Sequence, residues 1–226
     1  MDFLKPEPGT TIADLPTVKC AMDVLLPGQE FQQSCYTTAD KVYLFLKGSG
    51  ELSTSNNQQV ELLDAPMQAY IPATTTYTLA NTGQEKLTFV WALAPNEMPG
   101  EQNLLDKAAP IVMLGTEKGE RFPESQKIRG GMLTFPANTE CDYHSHDGAD
   151  EVFLFLEGHG EVDEEGEVVR VEPGDVVVTP AERKHKLRSF DEPLVMWLTV
   201  TPNRTPSHTF YQQLDDGSWE RVTPSQ

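Results

Sequence analysis

The sequence predicts an all-β protein built from two similar sandwich or barrel domains. Short β-branched or aromatic runs recur about every 8 to 12 residues. Gly, Pro, Asn and Asp separate them, and one run occurs twice at a fixed distance along the chain. Many short strands joined by turns are typical of sandwiches and barrels. The length of 226 residues, about twice the commonest domain size, allows two such domains.

The repeat begins at Lys41 in the first half and at Glu151 in the second half. Residues 41–51 (KVYLFLKGSGE) match residues 151–161 (EVFLFLEGHGE) at an offset of 110. Further on, AYIPA matches VVTPA at an offset of 108, so the first copy is two residues longer, in a hairpin turn within Ser53–Gln59. Hairpin tips accept such insertions at little cost.

The repeat divides the chain into an N-terminal barrel at residues 1–95, a linker at residues 96–128 and a C-terminal barrel at residues 129–226. Within the linker, Glu101–Ala108 predicts a short helix. Ile111–Leu114 predicts a strand, which we expect to pair across the two units.

Composition argues against several classes of partner. The chain has 17 basic and 35 acidic residues, a net charge of −18, which repels nucleic acid and anionic lipid. Its longest apolar runs reach about five residues, whereas a membrane span needs roughly 20. The N-terminus lacks the pattern of a secretory signal. Cys20, Cys35 and Cys141 cannot all pair within the chain, so we expect a reduced, cytoplasmic protein.

Three of the five histidines are arranged as metal ligands. His144 and His146 alternate, so on a strand both imidazoles face the same side, as two ligands of one ion require. Glu151 opens the next strand, and His185 follows a turn and a further strand. The alternative interpretation is that these are ordinary exposed residues beside an acidic turn.

These residues and their spacing resemble the first motif of the cupin family. The motif is a glycine, five residues, H-x-H, three or four residues, Glu, six residues and Gly. His144, His146, Glu151 and Gly158 match it, and Asn138 stands in place of the leading glycine.

The second cupin motif is a glycine, five residues, P-x-G, two residues, His, three residues and Asn. Gly174, Pro180 and His185 match it, whereas Glu182 replaces a glycine and Ser189 replaces the asparagine. These departures from the two motifs fall outside the four ligand positions, so they put the geometry of the turns in doubt but not metal binding. Together with the repeat, the resemblance is to a bicupin.

The resemblance implies two tandem cupin barrels (double-stranded β-helix, or jelly roll) with a metal site only in the second. That site would hold one divalent transition metal per chain. Imidazole and carboxylate ligands suit iron, manganese or nickel, and zinc is an alternative. The implied ligands are His144, His146, Glu151 and His185.

The first barrel has lost this chemistry. The same register gives Ser34, Tyr36, Lys41 and Tyr77 at the four ligand positions, so no metal-binding set remains. Two interpretations stay open. The positions form a metal-free pocket in which Lys41 contacts an anion, or the barrel is filled and purely structural.

The predicted metal site favours a small-molecule ligand, because a six-coordinate ion with four protein ligands keeps positions open for substrate. We expect an enzyme acting on a small organic acid, phenol or sugar-like compound, with dioxygenase chemistry first and isomerase or lyase chemistry next. A non-catalytic metal and ligand binding protein and a structural dimer are the alternatives.

The pocket around the ion is expected to have an apolar wall and one arginine for an anionic substrate. The candidates for the arginine are Arg129 and Arg183. His159 and His208 are expected to be exposed or structural, and Cys141 to be a buried small hydrophobe. The predicted wall consists of Phe153, Phe155, Leu187 and Trp197.

A homodimer is expected, because open β-sandwiches expose edge strands that pair between subunits. We expect Met1–Pro16 to cross to a neighbouring chain.

Overall fold

The computed structural model describes residues 1–32, 36, 38–54, 59–96 and 110–223. All elements of regular secondary structure in these ranges are β-strands, so the all-β prediction is confirmed. None of these residues forms a helix able to span a membrane. The predicted helix Glu101–Ala108, Ser34 and Cys35 lie outside the described residues, as do the central residues of the Ser53–Gln59 turn.

The strands are numbered along the chain: β1 (Asp2–Leu4), β2 (Thr10–Asp14), β3 (Lys19–Leu25), β4 (Glu30–Gln32), β5 (Asp40–Lys47), β6 (Ser49–Thr54), β7 (Val60–Asp64), β8 (Met67–Ile71), β9 (Tyr77–Ala80), β10 (Leu87–Ala94) and β11 (Val112–Leu114). They continue with β12 (Arg129–Phe135), β13 (His144–Ser145), β14 (Asp150–Glu157), β15 (Gly160–Glu164), β16 (Glu167–Val171), β17 (Val176–Thr179), β18 (His185–Ser189), β19 (Leu194–Thr201), β20 (Thr209–Gln213) and β21 (Trp219–Val222).

The N-terminal unit comprises Pro6–Lys127 and is made of two sheets. One sheet has the order β11-β8-β5-β10-β3-β2, and the other has the order β4-β9-β6-β7. Alternate residues of the central strand β5 face a core rich in aromatic side chains, including Tyr43 and Phe45, which are fully buried.

The C-terminal unit comprises Met1–Lys5 and Ile128–Gln226 and repeats this plan. Its sheets have the orders β1-β17-β14-β19-β12 and β16-β15-β18-β13-β20-β21. Phe153 and Phe155 face its core from the central strand β14. The side chains of β14 that precede them reach the end of the barrel where the predicted ligands lie.

The two central strands have the same pairing register in the two units. In the N-terminal unit Lys41 pairs with Ile71, and in the C-terminal unit Glu151 pairs with Thr179. The two pairs are related by the sequence offsets of 110 and 108, so Lys41 and Glu151 occupy equivalent places in their barrels.

Two predicted strand positions differ from the structure. The strand β11 pairs with β8 of its own unit, so the prediction that it pairs across the units is wrong. The segment expected to cross to a neighbouring chain instead starts with β1, which pairs antiparallel with β17 of the same chain. Both are long-range pairings whose partners no local pattern specifies.

The residues that replace motif glycines keep the backbone shape of glycine. Asn138 has φ of 57° and Glu182 has φ of 68°, both in the left-handed region that glycine adopts most readily. The Glu182 carboxylate compensates by accepting a bond from the backbone N–H of Gly148 at 2.7 Å. Ser189, in place of the motif asparagine, ties the 136–139 turn by accepting a bond from the Thr139 N–H at 2.9 Å.

Gly158, which matches the last glycine of the first cupin motif, lies in a tightly packed turn. A Cβ at Gly158 would lie 2.0 Å from the carbonyl oxygen of Pro193, at a φ of +78°. Gly166, at φ +93° on an open hairpin tip, has nothing within 4 Å. We expect Gly158→Ala to destabilise the protein by at least ~2 kcal/mol more than Gly166→Ala, because both substitutions strain φ but only the first creates a backbone clash. Urea unfolding of both variants measures the difference, and equal losses would contradict the packing described here.

Candidate metal centre

The four predicted ligands lie together at one end of the C-terminal barrel. His144 is on β13 and pairs across the sheet with His185, the first residue of β18. His146 follows β13 directly, and Glu151 is the second residue of β14. All four are buried, and one ligand atom from each lies within 4.8 Å of the others. Within the described ranges, this is the only group of three or more His, Cys, Asp or Glu side chains with metal-binding geometry.

Backbone carbonyls hold the three imidazoles in the orientation that a metal needs. Each Nδ1 lies within hydrogen-bond distance of a carbonyl oxygen, and a carbonyl can only accept, so each Nδ1 carries the proton. Each Nε2 then presents a lone pair, which is the usual arrangement of metal-binding histidine. The pairs are His144 with Asp142 (2.9 Å), His146 with Ser207 (2.6 Å) and His185 with Arg183 (3.1 Å).

The ligand atoms require a cation between them. Oε2 of Glu151 lies 2.9 Å from Nε2 of His146 and 3.0 Å from Nε2 of His185. With Nδ1 protonated, these atoms face each other lone pair to lone pair unless a proton or a metal ion separates them. Nε2 of His146 is buried, and the group that it faces is the Glu151 carboxylate. Three nitrogens and a carboxylate oxygen therefore fit a divalent transition metal.

The buried environment favours the protonation states of a ligand set. Burial alone would raise the pKa of Glu151, but His146 and His185 outweigh it and hold this pKa well below its usual value. Burial, with the charge of His185, lowers the pKa of His144 to about 3. Burial also acts to lower the pKa of His146, but the carboxylate of Glu151 outweighs it and raises this pKa. The pKa values of His146 and Glu151 are thus shifted in opposite directions, as expected for an imidazole and a carboxylate that face each other.

The structure brings three predicted wall residues and one arginine to this end of the barrel. The ring of Phe153 lies edge-on to His185 at 6.1 Å and stacks on Phe155. Leu187 is buried in the same core. Nη2 of Arg129 lies 3.3 Å from Nδ1 of His146, at the rim of the cluster.

Two predicted pocket residues point elsewhere. The guanidinium of Arg183 pairs with Glu164 at 3.1 Å and with Glu165 at 3.0 Å, and only its backbone carbonyl serves the site. Trp197 is fully buried, but it alternates with Met196 and Leu198, which face the barrel core. Its side chain is therefore on the opposite face of β19.

His208 lies beside the site, although it is not one of the four potential ligands. Its half-buried ring lies 4.9 Å from His144 and 4.7 Å from His146, and it stacks on Phe210. It reaches this place because Phe210 of β20 pairs with His144 of β13. The alternation of His208 and Phe210 in the sequence was the available signal.

The expectation for His159 agrees with the structure, whereas Cys141 is only partly buried. His159 is exposed and pairs with Glu192. Cys141 packs against the barrel core, where burial raises the pKa of its thiol to about 11. A thiol with that pKa is a poor nucleophile at neutral pH.

The comparisons with known proteins agree with this fold. The family model for the cupin domain matches residues 131–201. No curated protein matches the chain. A cupin 2 conserved barrel domain protein from Leptotrichia buccalis superposes with a TM-score of 0.63 and 16% identity, covering 85% of this chain and 87% of its own. Salicylate 1,2-dioxygenase from Pseudaminobacter salicylatoxidans superposes with a TM-score of 0.66 and 12% identity, covering 82% of this chain and 71% of its own.

Residues 131–201 therefore match the cupin domain, and the chain has an all-β cupin fold. The solved structures cover more of the chain than the C-terminal unit alone, so the structural likeness extends into the N-terminal unit.

The pKa values predict acid sensitivity of the metal-free protein. Burial holds the pKa of His144 at about 3 and that of His208 at about 4. In the unfolded chain both titrate near 6.5, so the stability that these two neutral imidazoles contribute is complete above that pH and is lost as the pH drops towards 4. The loss is about 1.4 kcal/mol per pH unit for each of the two protons. His146, with a raised pKa, acts in the opposite direction, because the stability that it contributes is complete well below pH 6.5 and is lost as the pH rises above that value.

Urea unfolding in the presence of a chelator, repeated at several pH values, measures this slope. His144→Gln should reduce it, because one of the two buried neutral imidazoles is removed. The same slope in His144→Gln as in the parent protein would contradict the assignment.

Proposed function

We propose that the chain binds one divalent transition metal at His144, His146, Glu151 and His185. The observation that carries the proposal is the convergence of three Nε2 lone pairs on a buried carboxylate, each imidazole being oriented by a backbone carbonyl. Nitrogen and oxygen ligands without a thiolate favour iron, manganese or nickel over a structural zinc ion. The net charge of the filled site would be near +1, which attracts an anionic ligand.

The proposed activity is a dioxygenase reaction on a small organic acid or phenol. Salicylate 1,2-dioxygenase supports this through its fold, and that protein has also been solved with gentisate bound. Iron(II) in the site would supply open coordination positions and the electrons for reaction with O2.

The chain's own residues would position the substrate and exclude water. Arg129 stands beside His146, where its guanidinium can pair with a carboxylate of the substrate. Phe153 closes the apolar side of the cluster, and His208 with Phe210 covers the side formed by β13. An isomerase or lyase reaction, or ligand binding without turnover, would use the same contacts and is distinguished by the product formed.

Assembly as a homodimer and a cytoplasmic location belong to the same proposal. The strands β7 and β16 are sheet edges, and they carry exposed apolar side chains: Val60, Leu62 and Val168. Cys20 and Cys141 are free thiols, as a reducing compartment would keep them. Light scattering tests the dimer, since a mass near that of one 25.2 kDa chain at all concentrations would exclude it.

The ligand assignment predicts metal loss in specific variants. His144→Ala and His185→Ala should each lose most of the bound metal after dialysis, because each removes one of four ligands while apolar packing maintains the barrel. Glu151→Gln should weaken binding by removing the only negative ligand. The matched control is His159→Ala, which removes an exposed histidine of the same unit and should keep one ion per chain.

Elemental analysis of each variant, with circular dichroism as a check of folding, gives the answer. Unchanged metal content in the double variant of His144 and His185 would exclude this site.

Arg129 is predicted to determine affinity for anionic ligands. Arg129→Met should weaken binding of salicylate and gentisate to the iron-loaded protein about tenfold to a hundredfold under anaerobic conditions, the value of a hydrogen bond to a charged group. The metal content should stay unchanged. Arg170→Met, an exposed arginine of the same unit, is the control. Equal affinity in both variants would remove Arg129 from the substrate site, and no binding to the parent protein would exclude aromatic acids as its ligands.

A further inference from the structure

A further imidazole, that of His208, lies against the proposed metal ligands. It belongs to the connection between β19 and β20, at residues 202–208. It reaches the cluster because Phe210 of β20 pairs with His144 of β13. The four ligand atoms that lie within 4.8 Å of one another do not include one from His208. The metal centre proposed above therefore uses this imidazole only as a cover, and not as a donor.

The ring of His208 is as close to two of the ligands as the ligands are to one another. Its centroid lies 4.9 Å from that of His144 and 4.7 Å from that of His146. Among the three ligand imidazoles the corresponding distances are 4.5, 5.3 and 5.7 Å. Imidazoles in adjacent positions of one octahedral ion have ring centres about 4.6 Å apart, given a metal–nitrogen bond of about 2.1 Å. His208 thus has the spacing of a ligand.

Ser207 can orient this ring in the same way as the backbone orients the other three. Nδ1 of His208 lies 2.7 Å from the Ser207 hydroxyl, which can accept a bond from an N–H group. With the proton on Nδ1, the lone pair is on Nε2, the nitrogen that the other three imidazoles offer. The carbonyl oxygen of Ser207 also accepts the bond from Nδ1 of His146, at 2.6 Å. One residue therefore supports two neighbouring imidazoles.

A cavity of about 490 Å³ adjoins the His208 ring. It is also lined by Phe210, on which the ring stacks at 5.7 Å, and by Arg221 and Val222 of β21. His208 lines this cavity and contacts the imidazole cluster, whereas the four proposed ligands are not among the described residues that line it. The ring is half-buried and lies outside the paired strands. Rotation about its side-chain bonds can therefore carry it between the cluster and the cavity without disturbing the barrel core.

We propose that His208 is an exchangeable fifth ligand of the metal ion, displaced when an incoming anion takes two coordination positions. This role rests on the proposed function, because it adds a donor to the ion proposed above. Five protein ligands leave one open position on a six-coordinate ion, whereas four leave two. An anion that binds through two oxygen atoms therefore requires His208 to leave, and an anion that binds through one atom does not.

Exchange at one position couples two affinities. If His208 strengthens metal binding by some factor, it weakens the binding of a chelating anion to the metal-loaded protein by the same factor. The reason is that the chelating anion binds only the form from which His208 is displaced. A residue that only packs against the anion would instead strengthen its binding and leave the metal affinity unchanged. The two affinities together therefore distinguish a ligand from a wall residue.

Cobalt(II) is the metal probe, since its visible absorption changes with the number of its ligands. The full-length protein is loaded with Co(II), and its metal affinity is measured by competition with a chelator. Two anions are then titrated while the cobalt absorption is recorded. Acetohydroxamate binds a metal through two oxygen atoms, and azide binds through one nitrogen atom. Neither anion requires the substrate to be an aromatic acid.

Two variants of His208 remove the donor in different ways. His208→Ala and His208→Phe should each weaken cobalt binding about tenfold, the lower end of the cost of losing a supporting group at a metal site. Acetohydroxamate should bind both variants about tenfold more tightly than the parent protein, and azide should bind all three equally. His208→Phe keeps an aromatic ring beside Phe210 but has no nitrogen, so it separates coordination from packing.

His159→Ala, which removes an exposed histidine of the same unit, is the matched control and should behave as the parent protein does. Circular dichroism checks that each variant is folded. Unchanged cobalt affinity in both His208 variants, or weaker binding of acetohydroxamate to them, would overturn the fifth ligand and leave the four-ligand site intact. A parent protein that binds no cobalt would refute the metal centre itself, and the fifth ligand with it.

Discussion

The ionised carboxylate of Glu151, buried inside a barrel, is the interaction on which the rest of the site depends. Removing a carboxylate from water costs several kcal/mol, even after the protein relaxes around it. A cation must therefore accompany it. The imidazoles of His146 and His185 face the carboxylate in the metal-free protein, and in the proposed metal form the ion itself would be that cation. The backbone carbonyls of Asp142, Ser207 and Arg183 orient the three imidazoles around this charge.

The N-terminal barrel places the opposite charge at the same position. Lys41 would repel a divalent ion by about 4 kcal/mol for each unit charge at ~4 Å and an effective dielectric constant of 20. Aromatic rings replace the histidines as its surroundings. The two units thus share this strand register, but one has a lysine where the other has a glutamate.

Sequence patterns predict the parts of this structure that depend on local spacing. Alternation of His144 and His146 puts two imidazoles on one side of a strand, and the repeat offset predicts that Lys41 and Glu151 are equivalent. The position of His208 could not be predicted from spacing, because it depends on Phe210 pairing with His144, far away in sequence. The prediction that Trp197 faces the pocket was wrong for another reason. Both faces of β19 are buried, so its nearly continuous apolar sequence does not reveal which residues point into the barrel.

The central claim is that one chain holds one metal ion, in the C-terminal barrel only. Anomalous X-ray scattering from crystals of the protein purified with its own metal tests it most directly. The account predicts a single peak per chain, within bonding distance of Oε2 of Glu151 and of Nε2 of His144, His146 and His185. A second peak of full occupancy beside Lys41, or a peak outside the four ligands with none between them, would contradict it.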